Sequence, residues 1–156
     1  MSRRKARETA LQMLFQLDVG QNEWQMAQVT LDNADLTEIN KDFAAKLVLG
    51  ARENMQQIDL LINSRSREWN VDRLANVDKN ILRLAIYELE YDTKAAESNI
   101  VINEAIELAK KFSTEDSGSF VNAVLDNIKK THHNNLGDIK GIDEEKGVEQ
   151  QSDSGY

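Results

Sequence analysis

The chain has 156 residues and a formal net charge of −8, a length that suits one domain able to bury a core without covalent staples. Cysteine is absent, which excludes disulfides and thiolate metal centres. No apolar run approaches the roughly 20 residues that span a bilayer, and the opening Met1-Ser2-Arg3-Arg4-Lys5 is not a secretory signal, so a cytoplasmic location is expected.

Proline is also absent, and only three of the seven glycines precede residue 131. With so few chain breakers in a Leu-, Ala-, Glu-, Lys- and Gln-rich body, the fold class expected is all-α. The first helix is predicted from about Arg3 to Leu17, with Ser2 as N-cap and Gly20 beyond its end. Ala6, Ala10, Met13, Leu14 and Leu17 form its buried stripe. A second helix is expected over Trp24 to Asp32. Thr37 caps the next, whose inner face is read as Ile39, Phe43, Leu47 and Gly50. The pattern continues through Met55, Ile58, Leu61 and Ile62, as one long helix or as two with a bend whose position the periodicity leaves open.

Ser64 to Asn76 is charged and less regular, with Trp69, Val71 and Leu74 placed to dock it on the core. Val77 to Glu90 has apolar residues on more than one face, the pattern of a central helix packed on several sides. A polar loop over Tyr91 to Glu97 leads to a helix capped by Ser98 or Asn99, with Ile102, Ala105, Ile106 and Ala109 inward. Ser113 or Thr114 caps the last helix, whose stripe is Val121, Val124, Leu125 and Ile128. Beyond Thr131 the apolar period stops. Residues 132–156 hold six acids against two Lys and are read as a disordered acidic tail, following a domain over 1–131.

Sequence signatures of catalysis are missing: there is no G-x-G-x-x-G, Walker A run, H-E-x-x-H or G-x-S-x-G. The only histidines, His132 and His133, fall at the edge of the tail, outside any rigid setting that catalysis or metal binding needs. No enzyme activity, cofactor or metal is expected. The charge distribution suggests something else. Arg3, Arg4, Lys5 and Arg7 crowd the first turns, and a focused basic patch binds a polyanion even on an acidic protein. Arg3, Arg4 and Arg7 share one side of the helix by their spacing, and guanidinium groups suit both phosphates and bases. The bland alternative is a solvated helix end with an Arg4–Glu8 pair.

Two later stretches narrow the choice. They are Val77-Asp78-Lys79-Asn80-Ile81-Leu82-Arg83-Leu84-Ala85-Ile86-Tyr87-Glu88-Leu89 and Ile102-Asn103-Glu104-Ala105-Ile106-Glu107-Leu108-Ala109-Lys110-Lys111-Phe112. The second runs on to Glu115-Asp116-Ser117 and Phe120-Val121-Asn122-Ala123-Val124-Leu125-Asp126. With the arginine-rich opening they resemble the NusB family over roughly residues 1 to 130. The resemblance implies two packed helical subdomains, about seven helices in all, bridged by the N-terminal helix. It implies transcription antitermination through binding of boxA-type single-stranded RNA in nascent ribosomal RNA transcripts. The partner implied is the ribosomal protein NusE, in a complex with other Nus factors and RNA polymerase; a homodimer is left open.

By the same resemblance Arg3, Arg4, Lys5 and Arg7 would contact RNA, joined by Asp116 and Phe120. Phe15 and Asp78 would face the partner protein. Phe120 also fits the edge of the core, and Asp116 also fits a first-turn acid that complements the helix dipole. Phe15 stands where the family often has Tyr, and Glu97 where it often has Pro. Two other classes stay in view: a helical adapter that binds only protein, favoured by the net charge, and the N-terminal part of an RNA-modifying enzyme.

Overall fold

Most of the leucines, alanines and long charged side chains among the described residues lie in helices. The computed structural model describes residues 2–20, 23–65, 69–92 and 96–146, with side chains as far as residue 130. Among these residues there are seven α-helices, one 3-10 turn and no strand. The helices are α1 (Arg3–Val19), α2 (Trp24–Asp32), α3 (Glu38–Glu53), α4 (Met55–Arg65), α5 (Asn76–Glu90), α6 (Ser98–Phe112) and α7 (Glu115–Lys146). The 3-10 turn, Val71–Arg73, lies in the connection before α5. There Val71 is buried, and Trp69 and Leu74 pack half-buried on the core, as the sequence predicts.

Local chemistry sets most helix ends. Ser2 Oγ accepts from the Lys5 amide and Thr37 Oγ1 from the Asn40 amide, each at 3.2 Å. Thr114 Oγ1 accepts from the Ser117 amide at 3.0 Å and starts α7. The break the periodicity left open falls at Asn54, between α3 and α4, where the Asn54 side chain donates to the Gly50 carbonyl at 2.9 Å. α6 differs from expectation. Its N-cap is Glu97, with no side-chain hydrogen bond, and Ser98 is already helical. α7 also differs: its backbone helix passes Lys130 and continues to Lys146. No proline interrupts this stretch, and adding residues to an existing helix avoids the cost of nucleation. The expected division at 131 is thus not marked by a helix end, and residues 147–156 lie outside the described residues.

α1 packs on α2 and α3 to one side and on α5 to the other, while α6 and α7 pair and both pack on α5. That arrangement is two helical subdomains bridged by α1. The predicted stripe Ala6, Ala10, Met13, Leu14 and Leu17 is buried throughout, and α5 is buried on several faces, as a central helix must be. Each large apolar side chain so buried contributes about 1.5–3 kcal/mol against exposure. α3 is closest to the core at its middle. Ile39, read as inward, is 72% exposed, because the core-facing residues are Ala44, Leu47, Val48 and Ala51. Gly50 is fixed by close approach: a Cβ there would enter the ring of Tyr87 on α5.

A polar seam joins the helices where α1, α4 and α5 meet. Arg83, nearly buried, donates to both Asp59 oxygens at 2.9 and 2.8 Å and to Asn80 Oδ1 at 3.0 Å, and lies 3.6 Å from Asp18. Asn80 in turn donates to Asp18 and to the Asn76 carbonyl. Every charged member has an opposite charge or a hydrogen bond, which a buried polar network requires.

Candidate nucleic-acid interface

The three arginines at the start of α1 take different hydrogen-bond partners. Arg3 turns toward α3: its Nη1 donates to Asn40 Oδ1 at 3.2 Å, and its guanidinium carbon sits 4.0 Å from the centre of the Phe43 ring. Arg4 turns the other way, toward α6, where its Nε and Nη2 donate to the two Glu104 oxygens at 3.0 and 2.8 Å. Hydrogen bonding to Glu104, then its negative charge, raises the Arg4 pKa further. The Arg4 hydrogen bond holds the Glu104 carboxyl below the usual glutamate range, against the opposing effect of burial. Lys5 is exposed. The Arg4–Glu8 pair expected from spacing gives way to a pair between Glu8 and Lys111 of α6 at 3.0 Å.

Arg7 is not at the surface. It is 7% exposed and donates through Nε and Nη2 to both oxygens of Glu88 on α5, at 2.9 and 2.8 Å, with Glu88 itself 3% exposed. Its guanidinium also lies 5.2 Å from the Phe43 ring centre. Spacing places Arg7 on the same side as Arg3 and Arg4, but that side is the interior one at this turn. The open cationic surface at the start of α1 is therefore Arg3, Lys5 and the outer edge of Arg4.

Three of the other expected site residues, Asp78, Asp116 and Phe120, gather at a second place, where α7 begins beside the N-terminus of α5. Asp116 is exposed in the first turn of α7, and Phe120 is half-buried against the core one turn later. Asp78, expected at a partner surface, is buried. Its Oδ2 accepts from Ser117 Oγ at 3.0 Å, and its Oδ1 has no hydrogen-bond partner among the described residues. Ser117 also contacts the hydroxyls of Ser113 and Thr114 at 2.9 and 3.0 Å. A carboxylate three residues into a helix whose N-cap, Ala75, has no side-chain acceptor is well placed for the dipole; here it also ties α5 to α7. Phe15 is half-buried on α1, roughly 12 Å further along the axis than Arg7.

Sequence reasoning assigned no site role to Asn40, Glu88 or Glu104, and read Phe43 only as an inner-face residue of the third helix. The partner of each lies far along the chain, so spacing carries no signal for it. Arg3, Phe43, Ile39, Lys46 and Ile100 line a groove of about 380 Å³ between α1, α3 and the start of α6. No group of three or more His, Asp or Glu among the described residues is placed to hold a metal ion, and none of their helices is long and apolar enough to cross a membrane. His132 and His133 fall where side chains lie outside those described.

The family model described as the NusB family matches residues 4–130. The transcription antitermination protein NusB of Syntrophomonas wolfei is 48% identical over 129 residues, covering 82% of this chain and 96% of that protein. The protein of the same name from Desulforamulus reducens is 45% identical over 126 residues, covering 80% and 87%. In three dimensions the chain superposes on T. maritima NusB with a TM-score of 0.76 at 39% identity, over 83% of this chain and 92% of that one. A chain in the crystal structure of antitermination factors NusB and NusE with double-stranded RNA matches at TM-score 0.74 and 31% identity, over 83% and 96%.

Proposed function

This chain belongs to the NusB family of transcription antitermination proteins, and on that premise we propose that it binds RNA as a heterodimer with NusE. The RNA is boxA-type single strand in nascent ribosomal RNA transcripts, and the heterodimer works with other Nus factors on RNA polymerase in the cytoplasm. No catalytic step is involved. The observation that carries the reading is the open cationic end of α1 on a chain that matches, along most of its length, a protein solved with NusE and RNA.

Residues 1–131 form the binding domain, and the acidic 132–156 lies outside it. Arg3, Lys5 and the outer edge of Arg4 meet phosphates and bases, and Arg7 acts from behind by fixing α1 on α5. Asp116 and Phe120 contribute a second contact, with a face of the Phe120 ring offered for stacking and Asp116 accepting from base amino groups. Phe15 faces NusE. Asp78 supports that surface indirectly, by holding the start of α7 through Ser117. A homodimer that covers the same surface would compete with RNA.

The test is fluorescence anisotropy of labelled boxA-type RNA, a scrambled strand and a duplex, each with and without NusE and at several salt concentrations. Binding is expected to favour the boxA strand and to tighten with NusE. In an Arg3→Ala/Lys5→Ala protein the salt slope should fall by about 0.7 for every phosphate that is no longer neutralised on a single strand. Absence of any RNA preference with NusE present rejects the reading in favour of a protein-only adapter, which the net charge of −8 would suit.

A further inference from the structure

We infer that the groove between α1, α3 and α6 is a binding subsite for one unpaired RNA base, stacked on the Arg3 guanidinium. The inference rests on the RNA-binding reading above and extends the RNA path onto α3. Arg3 is exposed, yet its head group is held on two sides. The Phe43 ring supports it from one face at 4.0 Å, and Asn40 Oδ1 accepts from its Nη1 at 3.2 Å. A guanidinium so supported is a pre-oriented flat cation with a free outer face, and planar cations of this kind stack on bases. A solvated Arg would lose rotamer freedom on stacking; here much of that ordering is already in place. Phe43 is itself steadied by Arg7, whose guanidinium lies 5.2 Å from the ring centre and is anchored by Glu88.

The groove's charge selects a base over a phosphate. Lys46 on its wall is paired with Asp92 at 3.4 Å, and Asp42 adds a carboxylate. Arg7 on its floor is likewise offset by Glu88, so with Arg3 included the groove is close to neutral and would repel a phosphate near Asp42, whereas a carboxylate accepts readily from a base amino group. Ile39 and Ile100, 72% and 49% exposed, flank the opening, and a planar ring would cover this apolar surface. At about 380 Å³ the groove falls at the small end of ligand sites. The phosphates of the same strand stay outside, where Lys5 is exposed.

The experiment uses the full chain with NusE and a boxA-type single strand carrying 2-aminopurine at one position at a time. One position is expected to brighten beyond the others on binding, as its base leaves its neighbours in the strand for the groove. Arg3→Lys keeps the charge and removes the plane; it should abolish that change and weaken binding by about five- to tenfold, the low end of base–aromatic stacking. Asn40→Ala and Phe43→Leu, which release the platform from its side and from beneath, should each give a partial loss of the change. Lys5→Ala should weaken binding and lower the salt slope while leaving the responding position intact. An RNA that binds with no responding position, or an Arg3→Lys protein indistinguishable from wild type, overturns the subsite while the RNA-binding reading stands. Failure of the wild-type complex to bind RNA at all overturns both.

Discussion

Arg7 is the residue on which the arginine-rich opening and the folded structure make opposite demands. The perturbation is Arg7→Ala. In the structure it removes both hydrogen bonds to Glu88 and leaves that carboxylate, 3% exposed, facing the core with no counter-charge across the α1–α5 contact. Removing one partner of a buried pair costs about 3–5 kcal/mol, mostly because the other charge is stranded. For a domain of this size that lowers Tm by roughly 10–15 °C. Circular dichroism at 222 nm during heating, and urea titration at fixed temperature, measure it. An Arg7→Met/Glu88→Leu protein, which strands no charge, should recover most of the loss. RNA affinity measured well below the variant's Tm should fall less for Arg7→Ala than for Arg3→Ala. A loss of stability under about 1 kcal/mol, or an RNA defect in a fully folded Arg7→Ala protein as large as that of Arg3→Ala, would refute the assignment of Arg7 to the interior.

Gly50→Ala should destabilise the fold by about 1–3 kcal/mol, read from urea unfolding, since the new methyl enters the Tyr87 ring unless α3 and α5 separate. Ser117→Ala removes the hydrogen bond that the buried Asp78 side chain accepts and should cost about 1–3 kcal/mol, whereas Asp116→Ala, at an exposed neighbour, should change stability little. Arg4→Ala should raise the Glu104 pKa toward the ordinary glutamate range, followed by carboxyl NMR shifts. The Glu104 pKa is depressed in the folded state, so the pair's contribution is complete above the ordinary range and is lost as pH falls through the depressed value.

The helix order, the buried stripe of α1, the central place of α5 and the caps at Ser2 and Thr37 were legible because they are set by residues within a turn or two of one another. The break at Asn54 was not, since the side chain that caps it competes with a helix pattern continuing on both sides. The same reasoning missed Glu97 as the cap of α6, where no side chain supplies the expected bond and the backbone alone starts the helix.

At the site, spacing fixes the angle between two side chains around α1 but not which angle faces inward. Arg3 and Arg7 are neighbours on the wheel, separated by about 40°, and their fates differ because Arg7 meets Glu88 of α5 while Arg3 is turned onto Asn40 and Phe43 of α3. What decides burial is Glu88, 81 residues away, and what decides the pose of Arg3 is Phe43 on another helix. A cluster of four cations therefore states how much charge the segment carries, while the number of contacts it can offer a polyanion follows from its carboxylate partners. Those partners, Glu88 and Glu104, both sit inside the two long motifs that carry the family resemblance. The motifs thus do double service: they build α5 and α6, and they choose which of the opening cations stay free. Replacing Glu104 by Gln leaves the helix pattern intact and should restore some of Arg4's reach, so its effect on RNA affinity should disappear in an Arg4→Ala background. A double-mutant cycle in the anisotropy assay measures that coupling, and additive effects would show that the two residues act on RNA independently.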